Sequence, residues 1–209
     1  MKRTRWWGCA VAGAALASFA AQAQGPLSQA QPGPGDFTES GHITQGGESI
    51  AYIIHRLPPD AFPDLPALVA QELMLRGCMI PQTYEAHRPE NVVHASLERP
   101  GSSDWAVLCS VHGTVSLLVF FASAPEKPVT LATAPETERL QGHDGHTSLG
   151  FDWGIDPASP QRVHDAQSGM DHRPPRIDHD ALADSVIDVR TKYHFFTQGR
   201  WTLLDMPLP

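Results

Sequence analysis

Alternating apolar and polar side chains dominate the middle of the chain. This two-residue period is typical of β-strands, and it predicts strands at residues 49–57, 91–98, 104–111, 114–122 and 129–134. The third and fourth are separated by a two-residue step, which predicts a hairpin. The strand at 114–122 is apolar on both faces, so we expect it to be a central strand that is covered on both sides.

One segment follows a helical period instead. Apolar residues recur at helical spacing between Leu65 and Leu73 and predict one principal helix at about residues 65–76. Asp64 is a suitable capping residue before this helix, and Gly77 suits the left-handed position after its last turn. We expect the helix to cover one face of the sheet.

The last third of the chain has a less regular pattern. Residues 136–175 are rich in Gly, Pro, His and Asp and predict a long irregular segment, with short strands at 147–155 and 160–167. The chain then closes with a hairpin at about 186–206. Its expected apolar partners are Tyr193, Phe195, Trp201 and Leu203. The predicted fold class is therefore α+β: a mainly antiparallel β-sheet, one principal helix (about 65–76) packed on it, and the irregular segment 136–175.

Residues 1–23 have the layout of a cleavable secretory signal peptide. Lys2 and Arg3 lie in a basic start, an apolar run occupies residues 6–20, and Ala21-Gln22-Ala23 fits the small-x-small cleavage rule. The apolar run is shorter than the ~20 residues that a membrane-spanning helix needs. The expected location is periplasmic or secreted, with no transmembrane segment after signal cleavage.

Composition divides the remaining chain into two parts. Residues 24–48 are predicted to be a flexible leader rich in Gly, Pro and Gln, and residues 49–209 a single α+β domain. The 209-residue chain carries a formal net charge of −8. Because a negative surface is unsuited to a phosphate backbone, we expect no nucleic-acid partner.

Two of the three cysteines lie beyond the predicted signal peptide, at Cys78 and Cys109. In an oxidising compartment an isolated pair is most simply a disulfide. A buried thiol pair and a reactive nucleophile remain as alternatives. A bond here would pin the end of the predicted helix to the sheet.

A cluster of acidic residues near the C-terminus is the first candidate metal site. Asp178 and Asp180 have the spacing that begins a calcium loop, with His179 between them and Asp184 close by. Val189 stands where such a loop needs a bidentate Glu. The alternative to a metal site at Asp178, Asp180 and Asp184 is a polar turn whose carboxylates bond backbone N–H groups.

Other candidate chemistry is weaker. His143 and His146 are three residues apart and could share a metal, although Gly145 between them favours a loop. Ser110 and His112 would share a face of a strand, but no acid is identifiable as a third member. The sequence contains no phosphate loop and no dinucleotide-binding fingerprint. It therefore predicts no catalytic and no cofactor-binding residues.

Three blocks of the sequence resemble a group of exported bacterial proteins with no assigned activity. The blocks are AFPDLPALVAQELMLRGCMIPQT, SSDWAVLCSVHGTVSLLVFF and IDHDALADSVIDVRTKYHFFTQGRWTLL. The third block of that group usually reads D-H-D-G-I, whereas this chain has Ala181 in place of the glycine. The resemblance implies a periplasmic location and a bridge between Cys78 and Cys109, and it implies no chemistry.

These patterns lead to one expectation and two alternatives for function. We expect a non-catalytic envelope protein that binds an unknown envelope protein or a small ligand. The first alternative is a metal-dependent hydrolase that uses Asp178, His179, Asp180 and Asp184, with Ca²⁺ or Zn²⁺. The second is a structural protein that acts through its acidic surface.

Overall fold

The structure, a computed structural model, is largely β, with 49% strand and 13% helix. It describes residues 37–143, 145–168, 170, 173 and 176–205. The predicted signal peptide, residues 1–23, and residues 24–36 of the predicted leader lie outside the described residues.

The described residues form thirteen strands and two α-helices. The strands are β1 (Phe37–Gln45), β2 (Glu48–Leu57), β3 (Ile80–Gln82), β4 (Val92–Ala95), β5 (Asp104–Val111), β6 (Thr114–Phe120), β7 (Val129–Pro135), β8 (Leu140–Gln141), β9 (Leu149–Phe151), β10 (Trp153–Ala158), β11 (Ala181–Val186), β12 (Arg190–Thr197) and β13 (Arg200–Asp205). The helices are α1 (Ala67–Leu75) and α2 (Pro160–Ala166), and single 3₁₀ turns lie at Pro59–Ala61 and Glu136–Glu138.

The strands are arranged in three sheets. Sheet A has the order β1-β2-β9-β8, with β3 also paired to β2; sheet B has the order β4-β5-β6-β7; and sheet C has the order β10-β11-β12-β13. All pairings are antiparallel except the short parallel pairing of β2 with β9. Sheets B and C consist of sequential strands, and α2 lies in the long connection between β10 and β11 of sheet C.

The central core lies where the three sheets meet. Sheet A contributes Ile54 and Phe151, sheet C contributes Trp153 and Leu182, and sheet B contributes the inward face of its middle strands, including Leu117. Each such side chain contributes ~1.5–3 kcal/mol when it is removed from water. The core therefore couples all three sheets and does not belong to any one of them.

Each helix covers the outer face of one sheet. Val69 and Leu73 of α1 pack against Val107 and Phe120 on the outer face of sheet B. On the outer face of sheet C, Val163 of α2 packs in a cluster with neighbouring strand residues. The prediction that the central strands of sheet B are covered on both sides is confirmed.

The predicted disulfide is confirmed. Cys78 follows α1, Cys109 lies in β5, and their sulfurs are at bonding distance with Cα atoms 5.1 Å apart. Gly77 adopts φ +71°, as expected for the left-handed residue after the helix. The bond therefore fixes the end of α1 to sheet B.

The predicted hairpin between β5 and β6 is also confirmed. His112 and Gly113 connect the strands with φ values of +49° and +76°. Two positive φ angles match the turn geometry that follows the natural twist of a β-hairpin.

A buried asparagine joins segments from different sheets. Asn91 donates from Nδ2 to the carbonyl oxygens of Pro81 (2.7 Å) and Trp153 (3.1 Å). Its Oδ1 accepts from the backbone N–H of Ile155 at 3.0 Å. One side chain therefore fixes the position of β3 relative to the start of β10.

The fold class needs correction. The structure has three sheets and is largely β, whereas we predicted an α+β fold with one principal helix and a single sheet. The segment 136–175 also contains β8, β9, β10 and α2, and is not irregular throughout. The short strands in this Gly- and Pro-rich stretch are stabilised by pairing with strands that are distant in the sequence. A local sequence pattern does not show such pairing.

Two local predictions were wrong. Residues 37–45 lay in the predicted leader but form β1, which pairs with β2 along its whole length. Residues 160–167 were predicted to be a strand but mostly form α2, because Pro160 occupies its first turn and the Ser159 hydroxyl accepts from the backbone N–H of Arg162 at 3.2 Å.

Two details of the other elements also differ. Asp64 does not cap α1, since Pro66 occupies the capping position without a side-chain hydrogen bond. In the last hairpin, Tyr193 pairs with Leu204 and Phe196 with Trp201. Tyr193 and Trp201 consequently lie on opposite faces of sheet C.

Candidate functional site

A charged cluster lies on the face of sheet C that is turned toward the centre of the molecule. Leu182 on this face belongs to the central core, and two residues further along β11 the same face carries Asp184. The neighbouring strand places Lys192 opposite Asp184 and His194 opposite Leu182. Strand alternation therefore brings polar side chains to the edge of an apolar core.

Asp184 is the centre of this cluster. Its Oδ1 accepts from the indole N–H of Trp153 at 2.7 Å, and its Oδ2 accepts from the Nε2–H of His194 at 2.9 Å. All three residues are buried. The carboxylate is thus oriented by two donors, and it holds the imidazole in one position.

Arg139 brings a cation against the same group. Its guanidinium lies 3.9 Å from the centre of the Trp153 ring, and its Nη2 is 4.0 Å from Asp184 Oδ1. This separation is beyond hydrogen-bonding distance. The Arg139 side chain is 18% exposed, and burial lowers the pKa of its guanidinium. A largely buried cation therefore lacks a hydrogen-bonded carboxylate among the described residues.

Arg139 borders a cavity of about 140 Å³ that we call the basic pocket. Its charged and polar lining consists of Arg139, Asp184, Arg190, Lys192 and His194. Three permanent cations face one carboxylate, in a chain whose formal net charge is −8. Among the lining residues the cations outnumber the carboxylates three to one, which favours anions, and two further carboxylates, Asp205 at the rim and Asp152 near Arg139, offset part of that charge.

One more carboxylate lies at the rim of the basic pocket. Asp205 is 3.0 Å from the Lys192 ammonium and 4.0 Å from the Arg190 guanidinium. These are exposed or half-exposed pairs, which contribute ~0–1 kcal/mol. An entering anion can therefore compete with Asp205 for the two rim cations.

Asp152 adds a buried carboxylate near Arg139. Its Oδ1 has no hydrogen-bond partner. Burial raises the pKa of Asp152, and the positive charge of Arg139 opposes that rise only in part. The charged form is therefore disfavoured in the folded protein relative to the unfolded chain.

We expect Asp152→Asn to raise the thermal midpoint at neutral pH. A carboxyl whose pKa is raised by folding binds protons more tightly in the folded state, so its ionisation destabilises the fold at pH values above that pKa. The gain should shrink as the pH falls, and vanish below the unfolded pKa, where the wild-type carboxyl is protonated in both states. Thermal denaturation at a series of pH values measures this.

The exposed Asp60 provides a matched control, because Asp60→Asn makes the same charge change away from the site. It should leave the midpoint nearly unchanged. A fall in the midpoint of Asp152→Asn at neutral pH would contradict the prediction and show that Asp152 is a favourable partner of Arg139.

The predicted metal site is not assembled. Asp178 is 82% exposed and bonds His179 Nδ1 at 2.9 Å, while Asp180 accepts from the backbone N–H of Ser96 at 3.1 Å. Asp184 is engaged with donors in the basic pocket. Across the described residues, no three His, Cys, Asp or Glu side chains come together as a metal-binding group.

His179 and Asp180 instead attach their loop to neighbouring strands. His179 Nε2 bonds the carbonyl oxygen of Phe196 at 2.8 Å, and the backbone N–H of Asp180 donates to the carbonyl of Ser96 at 2.9 Å. The hydrogen bond from the His179 imidazole lowers the pKa of Asp178. Polar residues in this stretch thus have structural partners.

The other predicted histidine pair is brought together. The rings of His143 and His146 are 4.0 Å apart, and Tyr84 stacks on His143 at 4.4 Å. A cleft of about 450 Å³ lies beside them, and Asp188 also lines it. Burial raises the pKa of Tyr84 to about 12. This cleft is larger than the basic pocket, at about 450 Å³ against about 140 Å³.

The predicted Ser110–His112 contact does not form a catalytic pair. The Ser110 hydroxyl donates to Oε1 of the buried Glu136 at 2.7 Å, and Glu136 is bound to the buried Arg56. His112 lies in the following turn. Ser110 therefore belongs to a buried polar network that links β5 to β2.

The sequence pattern missed Arg139, Arg190, Lys192 and His194. The signal was present in β12, where Arg190, Lys192 and His194 alternate with Tyr193 and Phe195. The polar face of a strand that alternates in this way commonly meets solvent. Because α2 covers the apolar face, the polar face turns inward toward Arg139.

Comparisons with protein-family models, with curated proteins and with solved structures gave no match to this chain. The described helices are all too short or too polar to cross a membrane.

Proposed function

We propose that this chain is an exported, non-catalytic binding protein that holds a small anionic ligand in the basic pocket. The observation that carries the proposal is the largely buried guanidinium of Arg139, which has no hydrogen-bonded carboxylate within the part of the chain that the structure describes and opens onto a cavity that two more cations line. The expected signal peptide and the disulfide support export.

An anion in this pocket would complete the bonding of Arg139. The planar guanidinium offers donors in a fork that matches a carboxylate or a phosphate. Arg190 and Lys192 would contribute charge from the rim, and the aromatic ring of Trp153 holds the Arg139 guanidinium in place. The cavity volume of about 140 Å³ is below the ~300–1,000 Å³ of drug-sized pockets, so the ligand is small.

Binding is favoured over hydrolysis by the arrangement of the polar groups. A hydrolase that used the Asp184–His194 pair as its base would need a nucleophilic Ser, Thr or Cys beside it. The residues that line the pocket include none of these. The alternative of a metal-dependent hydrolase, which used Asp178, His179, Asp180 and Asp184, has no observation in its favour, because those side chains have separate structural partners.

Titration of the protein with acetate and with inorganic phosphate, followed by calorimetry, tests the proposal. We expect saturable binding of at least one of them, and an affinity that falls as ionic strength rises. In Arg139→Gln the affinity should fall by about 10–100-fold, since a hydrogen bond to a charged group contributes ~1.5–3 kcal/mol.

The exposed Arg99 supplies a matched control, because Arg99→Gln makes the same change outside the pocket. If Arg139→Gln is unfolded, the rim variant Arg190→Gln gives a second test, with an expected loss of several-fold. No saturable binding of acetate, inorganic phosphate or a longer carboxylate, or equal losses in the Arg139 and Arg99 variants, would refute the proposal.

A further inference from the structure

The basic pocket has an apolar wall in addition to its cations. We define the apolar wall as Leu131 and Ala132 of β7, Val186 of β11 and Leu203 of β13. Leu203 is 49% exposed, although it lies at the pocket. The site therefore presents permanent positive charge and apolar surface within one small cavity.

The strand register interleaves the two kinds of side chain. On the inward face of sheet C, Leu203 lies opposite His194, and Val186 lies opposite Arg190. Leu131 faces them from sheet B and packs partly against the central core. A ligand whose charged group meets the cations therefore has to place its next atoms against apolar side chains.

We infer that the ligand is an organic carboxylate with a short apolar tail, and not an inorganic anion. The carboxylate would bond Arg139, and its tail would lie on the apolar wall. An inorganic anion is polar on every side and would lose water at the wall without replacement bonds. An aliphatic tail instead gains from the same contact. This inference rests on the proposed function and specifies its ligand.

A series of unbranched carboxylates tests the inference. Affinities of acetate, propionate, butyrate and hexanoate are measured by calorimetry at constant ionic strength, with inorganic phosphate as the reference. Each added methylene should increase affinity by about fourfold, equivalent to ~0.8 kcal/mol, until the tail extends beyond the wall. Butyrate should therefore bind about 15-fold more tightly than acetate.

Leu203→Ala is the diagnostic variant. It should reduce the ratio of butyrate to acetate affinity by several-fold, whereas Arg139→Gln should weaken all the carboxylates alike and leave that ratio nearly the same. Leu75→Ala is the matched control, because Leu75 is exposed on α1 at the outer face of sheet B. Leu131→Ala provides a second change on the opposite side of the pocket.

The outcomes separate this inference from the proposed function. If acetate and phosphate bind but tail length has no effect, the pocket is an anion site and the inference is overturned. A tail effect that survives both Leu203→Ala and Leu131→Ala also overturns it, since the tail then lies elsewhere. If neither acetate, phosphate nor any longer carboxylate binds, both the inference and the proposed function fail.

Discussion

Replacing Cys78 and Cys109 together by alanine should lower the thermal midpoint by about 6–16 °C. The bond joins residues 31 positions apart, and closing such a loop removes conformational freedom from the unfolded chain worth ~3–4 kcal/mol. One kcal/mol shifts the midpoint by ~2–4 °C in a chain of this size. The contact between α1 and sheet B should be the part of the fold that is weakened most, because the bond holds α1 against that sheet.

Thermal denaturation with and without a reductant measures the effect. The wild-type protein should lose stability when reductant is added, and the double variant should not respond to it. Titration of free thiols under denaturing, non-reducing conditions gives an independent check. A difference of two free thiols between the wild type and the double variant would mean that the bond is absent and would contradict the prediction.

Asp104→Ala should destabilise the protein by ~3–9 kcal/mol, the largest effect that we expect from a single substitution. Asp104 is 0% exposed. Its Oδ2 accepts from the backbone N–H groups of Leu97 (2.8 Å) and Glu98 (2.7 Å) and from the hydroxyl of Ser102, and its Oδ1 accepts from the backbone N–H of Ala122 at 2.8 Å. Alanine would leave three backbone donors without a partner, at ~1–3 kcal/mol each.

Chemical denaturation of Asp104→Ala and Asp104→Asn tests whether the acceptor atoms matter. Asparagine has nearly the same shape, but its amide N–H₂ would face a backbone N–H, so it should also destabilise the protein, though less than alanine. Asp60→Ala, at an exposed position, is the control and should change the free energy of unfolding by less than ~0.5 kcal/mol. Full stability of Asp104→Asn would show that shape alone is sufficient.

Much of sheet B could be predicted from the sequence. The strands at β5, β6 and β7, the turn at His112–Gly113 and the pairing of Cys78 with Cys109 all follow from patterns that are local or nearly so. In this region consecutive strands are neighbours, and the alternation of side chains reports directly which face is buried.

The division into three sheets could not be predicted in the same way. Sheet A is built from β1, β2 and β3, which precede sheet B in the sequence, and from β8 and β9, which follow it. The parallel contact of β2 with β9 joins residues almost a hundred positions apart, as for Tyr52 and Leu149. Long-range pairing of short segments leaves no periodic signal, so we assigned residues 136–175 to an irregular segment.

The candidate site was predicted only in part. Asp184 was selected, but as a metal ligand together with Asp178 and Asp180, because spacing along the chain was the available criterion. The structure instead gives Asp184 two donors, Trp153 and His194, which come from different strands. Arg139 lies in the segment that we could not place, so its approach to Trp153 required the three-dimensional structure.

The side chain of Asn91 connects the site to a distant part of the fold. Its carboxamide holds the carbonyl of Trp153 and the N–H of Ile155, and the same group holds the carbonyl of Pro81 in β3. Trp153, whose indole orients Asp184 beside the basic pocket, is therefore linked through Asn91 to sheet A. Local opening of β3 and loss of the Asp184 geometry should consequently occur together, as one cooperative unit in hydrogen exchange.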